Sequence, residues 1–189
     1  MNSPSGVVME SELTVREFAE DPAPILEKTF EEIYQQRMAD LPVVNTALSV
    51  AAVCFERWEG MWLGTLLTPW FLNLILLPQS ADDWNTLPQG KKHKLKLPSG
   101  NYAFTCGYEE SIGSYQFCSL ASPVHSFPDH ETALKTAREV MELLLQPTAE
   151  DEDGNEIDSV SKTVEPFEGK PTVSRRGFLR GSGSSSEED

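Results

Sequence analysis

The sequence predicts a single α+β domain. It should hold a mostly antiparallel sheet with an N-terminal and a C-terminal helix packed on it, followed by a disordered acidic tail. Three observations carry this. An apolar stripe at helical spacing opens the ordered part, short β-rich runs separated by turn signals fill the middle, and a second helical stripe closes it at Pro147. The order helix, strands, helix is that of an α+β layer architecture.

Residues 1–21 are polar and acidic with little periodicity, so a mobile arm is expected. The domain proper is expected over residues 22–147. Asp21 can cap a helix whose first turn tolerates Pro22 or Pro24. Leu26, Phe30, Ile33, Tyr34 and Met38 give that helix one apolar face, and Pro42 stops it. Leu48 to Phe55 reads as a strand. Trp58-Glu59-Gly60 reads as a turn, Met61 to Thr68 as the returning strand, and Trp70 to Leu77 as a third. Pro69 falls between the last two, where an edge break or corner is expected.

Ala81 to Gly90 is a loop, and Lys91 to Leu97 a basic edge strand. Pro98-Ser99-Gly100-Asn101 is a turn. Tyr102 to Tyr108 and Tyr115 to Ala121 form a hairpin through Gly113. A second helix runs from Asp129, its N-cap, to Gln146, burying Leu134, Ala137, Val140, Met141, Leu144 and Leu145. Residues 148–189 are acid-rich, then Gly/Ser-rich, and are expected to be disordered. The fold should stand without them.

The formal net charge of −15 excludes nucleic acid as the expected partner, because phosphate binding needs Lys and Arg to release counterions. The first twenty residues show no basic start followed by an apolar run, so no secretory leader is expected. The apolar run Met61–Leu77 is interrupted by Pro69 and Asn73 and falls short of the ~20 residues of a spanning helix, so no membrane span is expected. Three cysteines with no close pair argue against a disulfide framework and for a reducing, cytoplasmic location.

No catalytic constellation is legible. Cys54, Cys106 and Cys118 offer no C-x-x-C pair and the histidines no H-x3-5-H unit, so no metal, cofactor or zinc site is expected, and the cysteines read as small buried strand residues. Cys118 with His125 could form a nucleophile–base pair, but no elbow or oxyanion loop accompanies it. No phosphate-binding glycine motif is present. More informative are Trp58, Trp62, Trp70, Phe71 and Trp84, clustered in one segment. On alternating strands some should face outward and make a peptide-binding surface. In the tail, Ser174-Arg175-Arg176-Gly177-Phe178-Leu179-Arg180 is similar to a twin-arginine export motif. It has no apolar region behind it and cannot work as an export signal here.

Trp58-Glu59-Gly60-Met61-Trp62-Leu63-Gly64, then Leu67-Thr68-Pro69-Trp70-Phe71-Leu72-Asn73, then Leu76-Leu77-Pro78 resembles the nickel-iron hydrogenase assembly chaperones of the HybE/HupJ type. So do Leu97-Pro98-Ser99-Gly100 and Cys118-Ser119-Leu120-Ala121-Ser122-Pro123, and the resemblance spans about Ile25 to Pro147. It implies a non-enzymatic accessory protein for maturation of a membrane-bound uptake hydrogenase. The client would be a hydrogenase subunit precursor. The small subunit, guarded at its twin-arginine signal before export, is favoured over the large one, and other maturation proteins are further partners. Some relatives carry a rubredoxin module, for which this sequence has no C-x-x-C. Thr68, Pro69, Trp70, Cys118 and Pro123 then serve folding, binding or both. Arg175, Arg176 and Phe178 become candidates for an internal mimic of the client's signal. The alternative class is a metal- or thiol-handling factor using Cys118 with Cys106 or His125.

Overall fold

A computed structural model describes residues 13–82, 84 and 86–147. Helix α1 (Ala23–Ile33) continues into a π-helical turn, Tyr34–Met38. Six strands follow: β1 (Ala51–Trp58), β2 (Met61–Leu67), β3 (Leu72–Pro78), β4 (Lys92–Leu97), β5 (Gly100–Glu109) and β6 (Gly113–Ala121). Helix α2 (His130–Leu145) closes the domain. The strands form one antiparallel sheet in the order β1-β2-β3-β6-β5-β4.

Local chemistry explains the elements. Asp129 caps α2, its carboxylate accepting the Thr132 amide at 2.7 Å. Asp21 accepts the Ala23 amide at 2.9 Å at the start of α1, where Pro22 stands as N-cap. The β1–β2 hairpin turns through Glu59 (φ 46°) and Gly60 (φ 76°), the paired left-handed residues of a two-residue turn that matches strand twist.

Alternation sorts the strand residues onto two faces. On one, Leu63, Leu67, Leu72, Leu74, Leu76, Phe104, Cys118 and Leu120 pack under α2 through Ala133, Ala137, Val140, Met141 and Leu144. Helix α2 crosses this face. Its first residue accepts the Ser49 amide at His130 Nδ1 (3.3 Å), and near its end the Leu144 carbonyl accepts the Ser99 amide (3.2 Å). On the other face, Trp62, Leu66, Ile75 and Leu77 pack against Leu26 and Phe30 of α1. Strands β2 and β3 are therefore covered on both sides, and each buried leucine contributes about 1.5–3 kcal/mol. This double burial accounts for the apolar run Met61–Leu77. No helix among the described residues is long and apolar enough to cross a membrane.

Three expectations are corrected. Residues 13–21, assigned to a mobile arm, are packed on the sheet. Phe18 is buried, its amide donates to the Pro78 carbonyl (3.2 Å), and the Thr14 carbonyl accepts the Ser114 amide (2.9 Å). Residues 1–12 and 148–189 lie outside the described residues. Strand β3 begins at Leu72 rather than Trp70, because Thr68 to Phe71 close a tight turn. Cys54 is exposed rather than buried. It sits at φ 54° in a bulge where Cys54 and Phe55 together oppose Gly64, which turns the thiol outward and the Phe55 ring onto the sheet.

Candidate functional site

The face that carries α1 is only half covered. Toward β5 and β4 it bears Asn101, Ala103, Thr105, Lys92, Lys94 and Lys96, all exposed except the partly buried Thr105. No helix among the described residues lies over them. Where the covered and open halves meet, a cleft of about 230 Å³ opens above β3 and β6. Asn73, Ile75 and Ser119 lie along its strands, with Phe71, Tyr115, Phe117 and Ser122 around them. It is smaller than the roughly 300–1,000 Å³ of small-molecule pockets, and suits a few side chains of a peptide better than a cofactor.

Each part is held by the fold. At Thr68 the hydroxyl accepts the amides of Trp70 (3.3 Å) and Phe71 (3.0 Å) and donates to the Phe71 carbonyl (3.2 Å). Phe71 is thereby presented at the rim, edge-on to Phe30 at 5.8 Å and to Trp70 at 5.4 Å. The Pro69 carbonyl accepts the Asn45 amide at 2.7 Å. The Asn45 side chain donates to the carbonyls of Val124 (3.1 Å) and Phe127 (2.9 Å). Asn45 thus ties the Thr68–Phe71 turn to the loop after β6, where the Ser122–Pro123 peptide is cis and Ser122 meets the cleft.

On β6, Tyr115 lies over Gly107, where a Cβ would come within 2.5 Å of its ring. Burial, followed by the nearby Glu109, pushes the Tyr115 phenol up to about 12, so it stays protonated and can donate. The Arg37–Glu109 ion pair (3.0 Å) joins the π-turn to the end of β5.

Asn73 is the unusual member. It is only 6% exposed, yet its side-chain oxygen has no hydrogen-bond partner. A buried amide oxygen left unpaired costs roughly 1–3 kcal/mol. It borders the cleft, where a peptide N–H would satisfy it.

The sequence-predicted residues divide. Phe71 borders the cleft, and Thr68, Pro69 and Trp70 build the turn that presents it. The expectation of outward tryptophans is corrected. Trp62 is buried because both faces of β2 are covered, and Trp70 in the turn before β3 and Trp84 in the loop after it are buried as well. Trp62 donates to the Phe18 carbonyl at 2.7 Å, Trp70 stacks on Tyr34 at 6.2 Å, and Trp84 donates to Ser114 Oγ at 3.4 Å. Trp58 is half-buried against the α2 side. Pro123 is exposed beside the cleft's Ser122. Arg175, Arg176 and Phe178 lie outside the described residues.

Cys118 is buried on the opposite face, under α2, and burial pushes its thiol up to about 11. A protonated buried thiol is a poor nucleophile and a poor metal ligand. Among the described residues no three His, Cys, Asp or Glu side chains gather as a metal site. Sequence reasoning missed Asn73, Tyr115, Phe117, Ser119 and Asn45. Period-2 alternation puts Tyr115, Phe117 and Ser119 on one face and Cys118 on the other, which was the available signal.

The family described as NiFe-hydrogenase assembly, chaperone, HybE matches residues 21–181. Hydrogenase expression/formation protein HupJ of Bradyrhizobium diazoefficiens is 34% identical over 157 residues, covering 83% of this chain and 86% of that protein. Protein HoxT of Cupriavidus necator is 43% identical over 131 residues, covering 63% and 73%. "Probable rubredoxin HupJ" of Rhodobacter capsulatus is 45% identical over 112 residues, 59% of this chain, but the match spans only 40% of that protein's length. The solution structure of HybE from Escherichia coli superposes with a TM-score of 0.58 at 28% identity, covering 71% of this chain and 83% of that one. The chain belongs to the HybE family of nickel-iron hydrogenase assembly chaperones.

Proposed function

We propose that this chaperone acts without catalysis, in the cytoplasm, by holding a hydrogenase subunit precursor at the cleft between Phe71 and Phe117. The single observation that carries the reading is the buried, unpaired Asn73 amide at an aromatic-rimmed cleft on an uncovered sheet face. Such a site offers an extended peptide one apolar contact and one backbone hydrogen bond, which is weak, sequence-tolerant recognition suited to transient holding.

The favoured client is the small-subunit precursor with its twin-arginine signal. An apolar residue of that signal enters the cleft. Its guanidinium pair lies toward the acidic α1 side, near Glu31 and Glu32, because Lys92, Lys94 and Lys96 at the other edge repel it. The large subunit is the alternative client.

The test is photo-cross-linking in cells, with benzoyl-phenylalanine in place of Phe71 and, separately, of the exposed Lys135 on α2. Capture of the small-subunit precursor from position 71 and not from 135, lost when the signal peptide is deleted, is the expected result. Equal capture from both positions would overturn the assignment of the cleft.

A further inference from the structure

One cross-strand row runs from the cleft to the sheet edge. Ile75 opposes Phe117, Phe117 opposes Thr105, and Thr105 opposes Lys92. Apolar wall, small floor and cation follow one another within three strand spacings, about 15 Å. Lys94 and Lys96 extend the cationic side along β4, and neither they nor Lys92 joins an ion pair among the described residues. The surface therefore suits a segment in which a large apolar residue stands beside carboxylates.

The chain carries such a segment. Val160-Ser161-Lys162-Thr163-Val164-Glu165-Pro166-Phe167-Glu168 sets Phe167 between Glu165 and Glu168, and Pro166 biases Glu165 toward extended backbone. We propose that this segment docks on the open face, with Phe167 in the cleft and Glu165 and Glu168 toward Lys92 and Lys94.

The exit point of the chain supports it. The Ser99 amide holds the Leu144 carbonyl at 3.2 Å, so α2 ends beside the β4–β5 turn, at the head of the lysine row. The stretch after Pro147 contains Glu150, Asp151, Glu152, Asp153, Glu156 and Asp158, and α2 ends on the opposite sheet face at the end of β4 nearest Lys96. A chain of the length from Pro147 to Phe167 has a reach of roughly 25 Å at random-coil dimensions, more than the three strand spacings to the cleft. Tethering supplies an effective concentration on the order of millimolar.

Charge also selects between tail segments. Ser174–Arg180 offers Phe178 and Leu179, but it carries no carboxylate and would leave Lys92, Lys94 and Lys96 without a counter-charge. The acidic segment is the better occupant of this face, and the family match runs through it to residue 181. The docking needs no client. Its consequence, that a precursor must displace the segment, rests on the function proposed above.

The full chain tests this without any hydrogenase present. Benzoyl-phenylalanine replaces Phe117, and the cross-linked peptide is identified by mass spectrometry. The expected product joins position 117 to residues 160–168 of the same chain. It is lost in Phe167→Ala and reduced at high salt, as exposed ion pairs are screened. No tail product, a product on residues 174–180, or a product between two copies overturns the proposal. A second readout is the Asn73 side-chain amide signal in the intact chain and in Phe167→Ala. It shifts if the segment docks, and superimposable spectra overturn the idea. A tail cross-link with no precursor cross-link in cells would instead sink the client assignment alone.

Discussion

Thr68 holds Phe71 from both ends of one residue: its hydroxyl accepts the Phe71 amide at 3.0 Å and donates to the Phe71 carbonyl at 3.2 Å. A third bond, from the Trp70 amide at 3.3 Å, makes this single buried hydroxyl the organiser of the β2–β3 turn. Thr68→Val keeps the shape and leaves those amides unpaired. It should cost about 1–3 kcal/mol in urea denaturation and weaken precursor capture further by loosening the Phe71 wall. Thr68→Ser keeps the hydroxyl and should recover most of both. If Val is as stable as Thr, the turn is held by something other than this hydroxyl.

Gly107→Ala should disturb the cleft from beneath. The new methyl would come within 2.5 Å of the Tyr115 ring, so the ring must swing toward the cleft. Overpacking of this kind costs about 1–3 kcal/mol. Shortening the neighbour in Gly107→Ala/Tyr115→Leu should return part of the loss. Additive losses in that pair would mean that the ring moves freely and does not form a fixed wall.

Which parts were legible from sequence follows from how local their causes are. Helix α2 was readable end to end, because Asp129 caps it within three residues and Pro147 blocks its continuation. The β1–β2 turn was readable from Glu59-Gly60 for the same reason. The packing of Phe18 was not. It depends on Pro78 and Trp62, distant in sequence, and residues 13–21 show no period. Asn45, which ties two motif loops together, reads as an ordinary polar loop residue. Alternation separates Tyr115 and Phe117 from Cys118. It does not say which face each helix covers, or that α1 stops short of β5. The outward-tryptophan reading failed there, and the same gap in coverage creates the cleft.

Cys118 should report its burial through pH. Its thiol is raised from the ordinary 9.0 to about 11, chiefly by loss of water around it. The native state therefore holds this proton where the unfolded chain releases it. Stability from this source is intact below pH 9, falls as pH rises from 9 to 11, and the whole effect is about 2–3 kcal/mol. Tyr115, raised from 10.0 to about 12, adds a similar fall above pH 10. Urea midpoints at pH 8, 9 and 10 should drop for the native sequence and drop less for Cys118→Ala. At neutral pH iodoacetamide should label exposed Cys54 first and reach Cys106 and Cys118 only on unfolding. Rapid labelling of folded Cys118 would restore a chemical role for it.

Asn73 gives the sharpest separation of stability from function. In β3 it opposes buried Leu66 on one side and exposed Ser119 on the other, and its neighbours along β3 are buried. An apolar residue of similar volume would remove the unpaired oxygen and add buried apolar area. Asn73→Leu should therefore stabilise the free protein, by about 1–2 kcal/mol in urea denaturation, as relief of a buried unsatisfied group predicts. The same change removes the one buried polar group on the cleft that waits for a partner. Precursor capture from position 71 should then fall even as the fold gains. A residue kept at a cost in stability and needed for capture is what a binding role requires, and purely structural residues behave the opposite way. Asn73→Ala separates the polar from the packing effect, because it loses the amide without filling the space. It should weaken capture as much as Leu while gaining less stability. If Asn73→Leu destabilises the free protein by a kcal/mol or more, the amide is already satisfied in solution. The cleft would then lose the observation on which its role as a client site stands.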